Sequence, residues 1–208
     1  VNGNDGTGTS GRLNLPFLTI GAALAASASG DVVIVYPGTY AESGLTIPTG
    51  VSLISDGGFR VTTIGDLAAV TDIITLSTGS YLQGFAFLVP TTAGVGAVAH
   101  SAGTGTVYDL DFQGNGAGGL GDGIRKTGAG KVVGGNIRCS LGGMTNLLYV
   151  SGPVAPCVLA LDDVHVPQSA GTIHNIVFTD DIGRFQGQGI NAGNSNAVDC
   201  IHVAGTST

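Results

Sequence analysis

The feature that most constrains the fold of this chain is a repeat of about 26 residues in the order of its apolar residues. A motif of three consecutive residues recurs: its first and third residues are apolar or small, and its second is expected to face outward. These motifs begin at Phe85, Leu110, Ile137, Val164 and Ile190. A second apolar series keeps the same step through Val98, Ile124, Leu148, Ile176 and Ile201. Two series with one period predict a stack of coils.

Each period has room for two or three short strands separated by turn residues. Alternate residues of a strand point to one side, so a single coil has an apolar inner face that it cannot bury alone. Stacking places each strand beside its equivalent in the next coil, roughly 4.8 Å away, and closes a common interior. Glycine contributes 37 of the 208 residues and charged residues only 10%, which fits many tight turns and neither a helical bundle nor disorder. The sequence therefore predicts an all-β chain folded as a parallel β-solenoid.

One short helix is expected before the strands. The stretch PFLTIGAALAASASG begins at Pro16, a favourable first helical position, and ends at Gly30. One face of this helix would carry Phe17, Ile20, Leu24 and Ala25. Because the first coil of a solenoid exposes an apolar end and unpaired strand edges, we expect the helix to cover that end.

The whole chain, residues 1–208, is expected to form a single β-helix domain. Residues 1–30 would be the lead-in and helical cap, 31–203 the coils, and 204–208 a short tail. No second helix is evident for the carboxyl end, which a partner subunit, further residues or the tail would have to cover. The register between residues 32 and 80 stays open, because the period is irregular there and the segment SDGGFR can interrupt the stack.

Residues 13 to 55 carry a series of motifs: PFLTI at the helix, then GDVVIV, PGTY, LTI and GVSLI. This segment resembles the amino-terminal signature of the right-handed parallel β-helix superfamily typified by pectin and pectate lyases. The resemblance implies a right-handed parallel β-helix. It does not imply one activity, because the superfamily includes lyases, hydrolases, adhesins and the spikes, fibres and head-decoration proteins of bacteriophages.

We interpret the chain as a non-enzymatic structural protein of a virion surface, most similar to a phage capsid decoration (cement) protein or a tail spike or fibre module. The resemblance implies a homo-oligomer, a trimer, on the virion surface or in the extracellular space. Other capsid or tail proteins are the expected partners, and a surface polysaccharide is a further candidate. No cofactor is expected.

The alternative is a small polysaccharide lyase or hydrolase of the same fold. If the first apolar series points inward, its neighbours form outward rows that include Asp109, Asp163, Arg138 and His165. Asp109 and Asp163 would lie two coils apart, roughly 9.6 Å at about 4.8 Å per coil, near the upper limit for an inverting glycosidase pair. One would act as acid and the other as base, with Arg138 and His165 steering an acidic sugar.

The same rows also fit an exposed ladder of polar side chains, with Asp111 and Arg138 as a weak surface pair. Polygalacturonase-like members of the superfamily carry GHG and R-x-K motifs, and both are absent from this sequence. The histidines at 100, 174 and 202 have no shared ligand spacing, so no metal site is predicted.

A second outward row is a candidate contact surface between subunits. It follows the second apolar series through Ala99, Arg125, Tyr149, Val177 and His202. An outward Tyr and Val among small residues are typical of an interface. The glycine-rich stretch 114–130 is predicted as turn, and its Asp122, Arg125 and Lys126 as solvated side chains or partner contacts.

Charge, hydropathy and cysteine content set further limits. The formal net charge of −7 argues against nucleic-acid binding, and no apolar run approaches the length of a membrane span. Cys139, Cys157 and Cys200 lack CxxC spacing, so they are expected to be buried as small apolar side chains, with a disulfide or a reactive thiol as the alternatives. The opening NGNDGTG is expected to be a turn-rich lead-in, because it lacks the bidentate Glu of an EF-hand and the Lys of a P-loop.

Overall fold

A computed structural model describes residues 3–114, 120–141, 144–151 and 157–166, and beyond these the backbone of the strands at 174–178, 183–186, 191–192 and 202–203. In this part of the chain one short helix precedes 18 strands. The strands pair in parallel and stack as a β-solenoid, so the fold predicted from the repeat is confirmed. None of the helical structure among these residues has the length and apolar character of a membrane span.

The elements follow one another in a regular order. The helix is α1 (Ile20–Ala25), and the strands of the first coils are β1 (Val32–Val35), β2 (Gly38–Tyr40), β3 (Leu45–Ile47), β4 (Ser52–Ser55), β5 (Thr62–Ile64), β6 (Ile74–Leu76), β7 (Tyr81–Gln83), β8 (Phe85–Leu88) and β9 (Gly96–His100). The later strands are β10 (Thr104–Gln113), β11 (Asp122–Thr127), β12 (Gly130–Leu141), β13 (Asn146–Ser151), β14 (Cys157–Val166), β15 (His174–Phe178), β16 (Gly183–Gln186), β17 (Asn191–Ala192) and β18 (His202–Val203).

Two parallel sheets enclose the interior. The long sheet has 11 strands, with β1, β4, β7, β10, β12, β14 and β16 as its main path, while β2, β5, β8 and β17 pair beside that path. The short sheet has seven strands in the order β3, β6, β9, β11, β13, β15 and β18. Every third strand pairs in the first coils. Every second strand pairs where β10, β12 and β14 each replace two shorter strands, and at the end of the described stack β17 pairs with β14 and β18 with β15.

The register confirms both apolar series. In the long sheet, Leu110 pairs with Ile137 and Ile137 with Val164. In the short sheet, Ile124 pairs with both Val98 and Leu148. These side chains are fully buried and belong to one continuous core. Ile190 and Ile201, the last members of the two series, lie outside the described residues.

From the second coil onward, the corner between two strands of the long sheet becomes shorter. Loop 56–61 separates β4 from β5, whereas Gly84 alone separates β7 from β8. In later coils the chain bends within one strand. This longer loop, near the predicted SDGGFR interruption, explains why the early period is irregular.

The helix is shorter than predicted. It spans Ile20–Ala25, so neither Pro16 as first helical residue nor Gly30 as the terminus is correct. Thr19 is the N-cap, and its hydroxyl accepts a hydrogen bond from the backbone N–H of Ala22. Ile20 and Leu24 are buried against the first coil, as the predicted cap requires.

Two carboxylates hold the start of the helix. The two oxygens of Glu42 accept hydrogen bonds from the N–H groups of Ile20 and Gly21, each at 2.9 Å. Asp5 accepts from the N–H groups of Leu18 and Thr19 and from the Thr19 hydroxyl. These bonds, chiefly that from the Thr19 N–H, lower the pKa of Asp5. The lead-in is therefore anchored to the cap, a contact between distant residues that the sequence pattern does not show.

Candidate functional site

The predicted outward row that contains Asp109 and Asp163 also contains Asn136 between them, and these three residues mark a bend in three successive coils. Each of the three residues has a positive φ, at 55°, 52° and 51° respectively. Gly84 takes the same place in the preceding coil, with φ at 90°. We call these four residues the corner row. Asn and Asp tolerate the left-handed region better than other side chains, and Gly enters it freely, so the backbone bend itself selects these residue types.

Asp109 uses both carboxylate oxygens within this corner. Its Oδ2 accepts a hydrogen bond from Gln83 Nε2, and its Oδ1 accepts one from Asn136 Nδ2, both at 2.7 Å. Gln83 also accepts from the Tyr81 hydroxyl at 2.8 Å. Burial raises the pKa of Tyr81, and Asp109 adds to this. Asp109 thus joins three coils by side-chain hydrogen bonds.

Asp163 lies two coils from Asp109, as predicted, with Asn136 between them in the register. Its side chain is exposed. Arg138 pairs with His165 in the neighbouring strand; Arg138 is exposed and donates from Nε to Asn136 Oδ1 at 3.1 Å. The structure therefore brings Arg138 and His165 together and sets Asp163 near them, while an amide side chain separates Asp109 from Asp163.

Asp111 differs from the expectation of an exposed partner for Arg138. It is fully buried, and its Oδ2 accepts hydrogen bonds from Arg60 Nε at 2.8 Å, Ser140 Oγ at 2.8 Å and Gln113 Nε2 at 3.1 Å. The ion pair is thus with Arg60. The prediction was wrong because Arg60, from loop 56–61, reaches the outer face of the next coils.

The same loop places an aromatic ring, that of Phe59, within contact distance of two guanidinium groups. The guanidinium of Arg60 lies 5.6 Å from the Phe59 ring centre, and that of Arg138 lies 5.4 Å from it. Such contacts are typical cation–π pairs. The sequence marks this segment as an interruption of the repeat but contains no signal that connects it to residues about 50 and 80 positions further on.

The predicted contact row of the short sheet keeps its register. Arg125 pairs with Ala99 and Tyr149, and further on Val177 pairs with Tyr149 and His202. The Arg125 guanidinium lies 5.9 Å from the centre of the Tyr149 ring, and both side chains are partly exposed. The side chains of Val177 and His202 lie outside the described residues.

The segment around Asp122 is strand, which corrects the prediction of a solvated turn over 114–130. Asp122 is buried, accepts a hydrogen bond from Asn146 Nδ2 at 2.6 Å and lies 4.0 Å from Arg125 Nε. Burial raises the pKa of Asp122 to about 6, against the opposing effects of Asn146 and Arg125. Residues 115–119 lie outside the described chain.

Lys126 points into the interior. It is fully buried, and its Nζ donates to the backbone carbonyls of Thr127, Gly128 and Ala129, the shortest of these bonds being 2.7 Å to Gly128. Lys126 is therefore a core residue and cannot form the external contact proposed from the sequence.

Cys139 is buried in the core, in line with the prediction, whereas the side chain of Cys157 and all of Cys200 lie outside the described residues. Within the described part of the chain, no group of three or more His, Cys, Asp or Glu side chains is placed to hold a metal ion.

Comparison with known proteins gives no match to a family model or to a curated protein. The stacked parallel strands agree with the fold expected from the resemblance of residues 13 to 55. The family itself and the link to bacteriophages stay predictions.

Proposed function

We propose that this chain is a non-enzymatic structural protein of a virion surface, either a capsid decoration protein or a module of a tail spike or fibre. It would act through the stability of its stacked coils. In this proposal it assembles as a homotrimer with other virion proteins, and the face carrying Arg125, Tyr149, Val177 and His202 is the subunit contact.

The observation that carries the non-enzymatic part of the proposal is the structural use of Asp109, one of the two candidate catalytic carboxylates, and of the neighbouring Asp111. Asp109 engages both oxygens with side chains of the two adjacent coils. Asp111 is buried and ion-paired. A general acid or base must reach the substrate and exchange a proton with it. Asp109 and Asp111 instead stabilise the corner and its loop.

The virion location and the trimer rest on the sequence resemblance of residues 13 to 55. Physical support comes from the architecture, since in a stack of parallel coils each coil stabilises its neighbours. The partly exposed Arg125 and Tyr149 supply an aromatic and a cationic side chain of the kind enriched at protein interfaces.

A second candidate, a polysaccharide lyase or hydrolase, is favoured by one observation. Asp163 and Arg138 are exposed, and His165 lies beside Arg138 in the register. Arg60 and Arg138 on the Phe59 ring add positive charge and an aromatic surface near them. This is the surface that an acidic sugar would meet.

The deciding experiment measures reducing-end and unsaturated-product release from acidic and neutral polysaccharides at high protein concentration, with the native mass determined on the same sample. The test variant is Asp163→Asn. Asn is better suited than Ala because it tolerates the positive φ of this position, so the variant removes the carboxylate without straining the bend. Asp162→Asn is the matched control, since Asp162 is also exposed and adjacent.

No product release from a stable trimer is the expected result. Release that Asp163→Asn abolishes and Asp162→Asn preserves would overturn the structural proposal and establish the second candidate. A monomer at all concentrations would overturn the proposed assembly.

A further inference from the structure

Two basic side chains lie next to each other inside the solenoid. His100 in β9 pairs in the register with Lys126 in β11, and both are almost completely removed from solvent. On the other side of His100, the register partner is Leu76 of β6. These three residues continue one inward row of the short sheet, which passes on to the buried Val150.

The two side chains differ in their partners. The Lys126 ammonium is held by three backbone carbonyls at the turn after β11. Neither Nδ1 nor Nε2 of His100 has a hydrogen-bond partner among the described residues. A neutral imidazole has one donor and one acceptor, and an imidazolium has two donors, so two groups lack a partner in either state. Protonation adds a buried charge, and this raises the desolvation cost.

The surroundings of His100 offer no compensating negative charge in the described part of the chain. β6 contributes Leu76. β10 contributes Gly105, which lies so close to the imidazole that a Cβ atom at this position would be 3.1 Å from His100 Cδ2. β11 contributes Lys126, a like charge. Asp122 is on the same strand as Lys126, but its carboxylate is bound to Asn146 and lies near Arg125. Burial, with the Lys126 charge as the second cause, lowers the pKa of His100 to about 4.

We propose that the pair of His100 and Lys126 is an acid-sensitive joint of the solenoid, at which proton uptake by His100 opens the coils that contain β9 and β11. The proposal is independent of the proposed function. It assigns to this interior pair a conformational response: the stack is closed at neutral pH and loosened in mild acid.

The direction follows from proton linkage. In the unfolded or opened chain His100 has an ordinary pKa of about 6.5, so between about 6.5 and 4 the opened state binds more protons than the closed state. Stability from this residue is therefore fully present above about pH 6.5, falls as the pH falls through this window, and loses nothing further below about pH 4. The equilibrium constant for opening is expected to rise by roughly 300-fold across the window.

The test uses the full chain and begins with the wild type. The imidazole Cε1–H resonances are followed by NMR from pH 8 to 4, and amide hydrogen exchange of β9 and β11 is measured in parallel. We expect the His100 resonance to stay that of a neutral ring down to about pH 5, while exchange in β9 and β11, corrected for the intrinsic pH dependence of exchange, accelerates below pH 6.5.

Two variants give the comparison. His100→Leu replaces the imidazole with an apolar side chain and should remove the acid-dependent part of the exchange. His165→Gln changes a histidine on the outer face and should leave it intact.

A His100 resonance that titrates near pH 6.5 in the closed protein would overturn the proposal. So would an acid response that persists unchanged in His100→Leu. If His100→Leu fails to fold, the wild-type titration and exchange data decide the question without it.

Discussion

Asp111 and His100 are both polar side chains that the fold buries, but the two regions around them differ. Asp111 lies on the outer face of the corner, where Arg60, Gln113 and Ser140 all donate to its Oδ2, although its Oδ1 has no hydrogen-bond partner among the described residues. His100 lies inside the stack and has no hydrogen-bond partner among the described residues. Burial alone therefore does not determine what a polar group contributes to stability; the available partners do.

The difference follows from the architecture. In stacked parallel strands the backbone N–H and C=O groups bond to the neighbouring coils, and few of them face the interior. An inward side chain meets mainly other side chains, which are apolar in this core. A loop on the outside, such as 56–61, brings new polar groups. Lys126 finds acceptors inside because its long stem reaches the turn at the end of its strand.

The largest expected effect comes from removing the charged partner of Asp111. Arg60→Met keeps the aliphatic stem but leaves the buried Asp111 carboxylate with neutral donors only. We expect a loss of about 3 kcal/mol in the free energy of unfolding, measured by chemical denaturation at neutral pH.

Arg138→Met is the matched control, because Arg138 also lies over Phe59 but is not the ion-pair partner of Asp111. Its expected cost is about 1 kcal/mol or less. Equal losses in the two variants would show that the ring contact, and not the buried ion pair, is what matters at this corner.

A second change concerns Asp122, a buried carboxyl whose pKa is raised and not lowered. In the folded state its pKa is about 6, against 3.8 for the free side chain, so the folded chain binds more protons between these values. Its stability contribution is full below about pH 3.8 and is lost as the pH rises through about 6, the opposite of His100.

Asp122→Asn keeps an acceptor for Asn146 but cannot ionise. We expect it to gain about 2 kcal/mol at pH 7.5 and well under 1 kcal/mol at pH 4, measured as the difference between denaturation curves of variant and wild type. An equal effect at both pH values would contradict the assigned cause, the desolvation of a charged carboxylate.

The sequence pattern predicted much of this architecture, because the inner rows are repetitive. It placed Ile124 inward, and strand alternation from Ile124 would also have placed Lys126 inward; the glycine-rich context obscured that signal. It grouped Asp109 and Asp163 correctly but could not distinguish a catalytic row from a bend, since Asp suits both. The contact between Arg60 and Asp111 is not periodic, and a single sequence contains no signal for such a pair.

A third pair of variants concerns Asp163, a polar residue that is exposed. Asp163 is exposed, so the backbone conformation and not desolvation should control its effect on stability. We expect Asp163→Ala to be less stable than Asp163→Gly by about 1 kcal/mol, because alanine is strained at a φ of 51° and glycine is not. The measurement is thermal or chemical unfolding of the two variants side by side. Equal stabilities would contradict a left-handed corner.

The smallest expected effect is at Glu42, whose burial is intermediate between that of Asp122 and that of Asp163. Its two oxygens each accept one N–H of the short cap helix. Glu42→Gln keeps one acceptor and replaces the other with an amide that cannot accept, so one helix N–H loses its partner but can still reach water. We expect a cost of about 0.5–1 kcal/mol, seen as faster amide exchange at Ile20 and Gly21 with the later coils unchanged. Exchange that accelerates equally in β10 and β12 would instead mean that the cap controls the whole stack, and that loss of a partner at one end propagates through the coils.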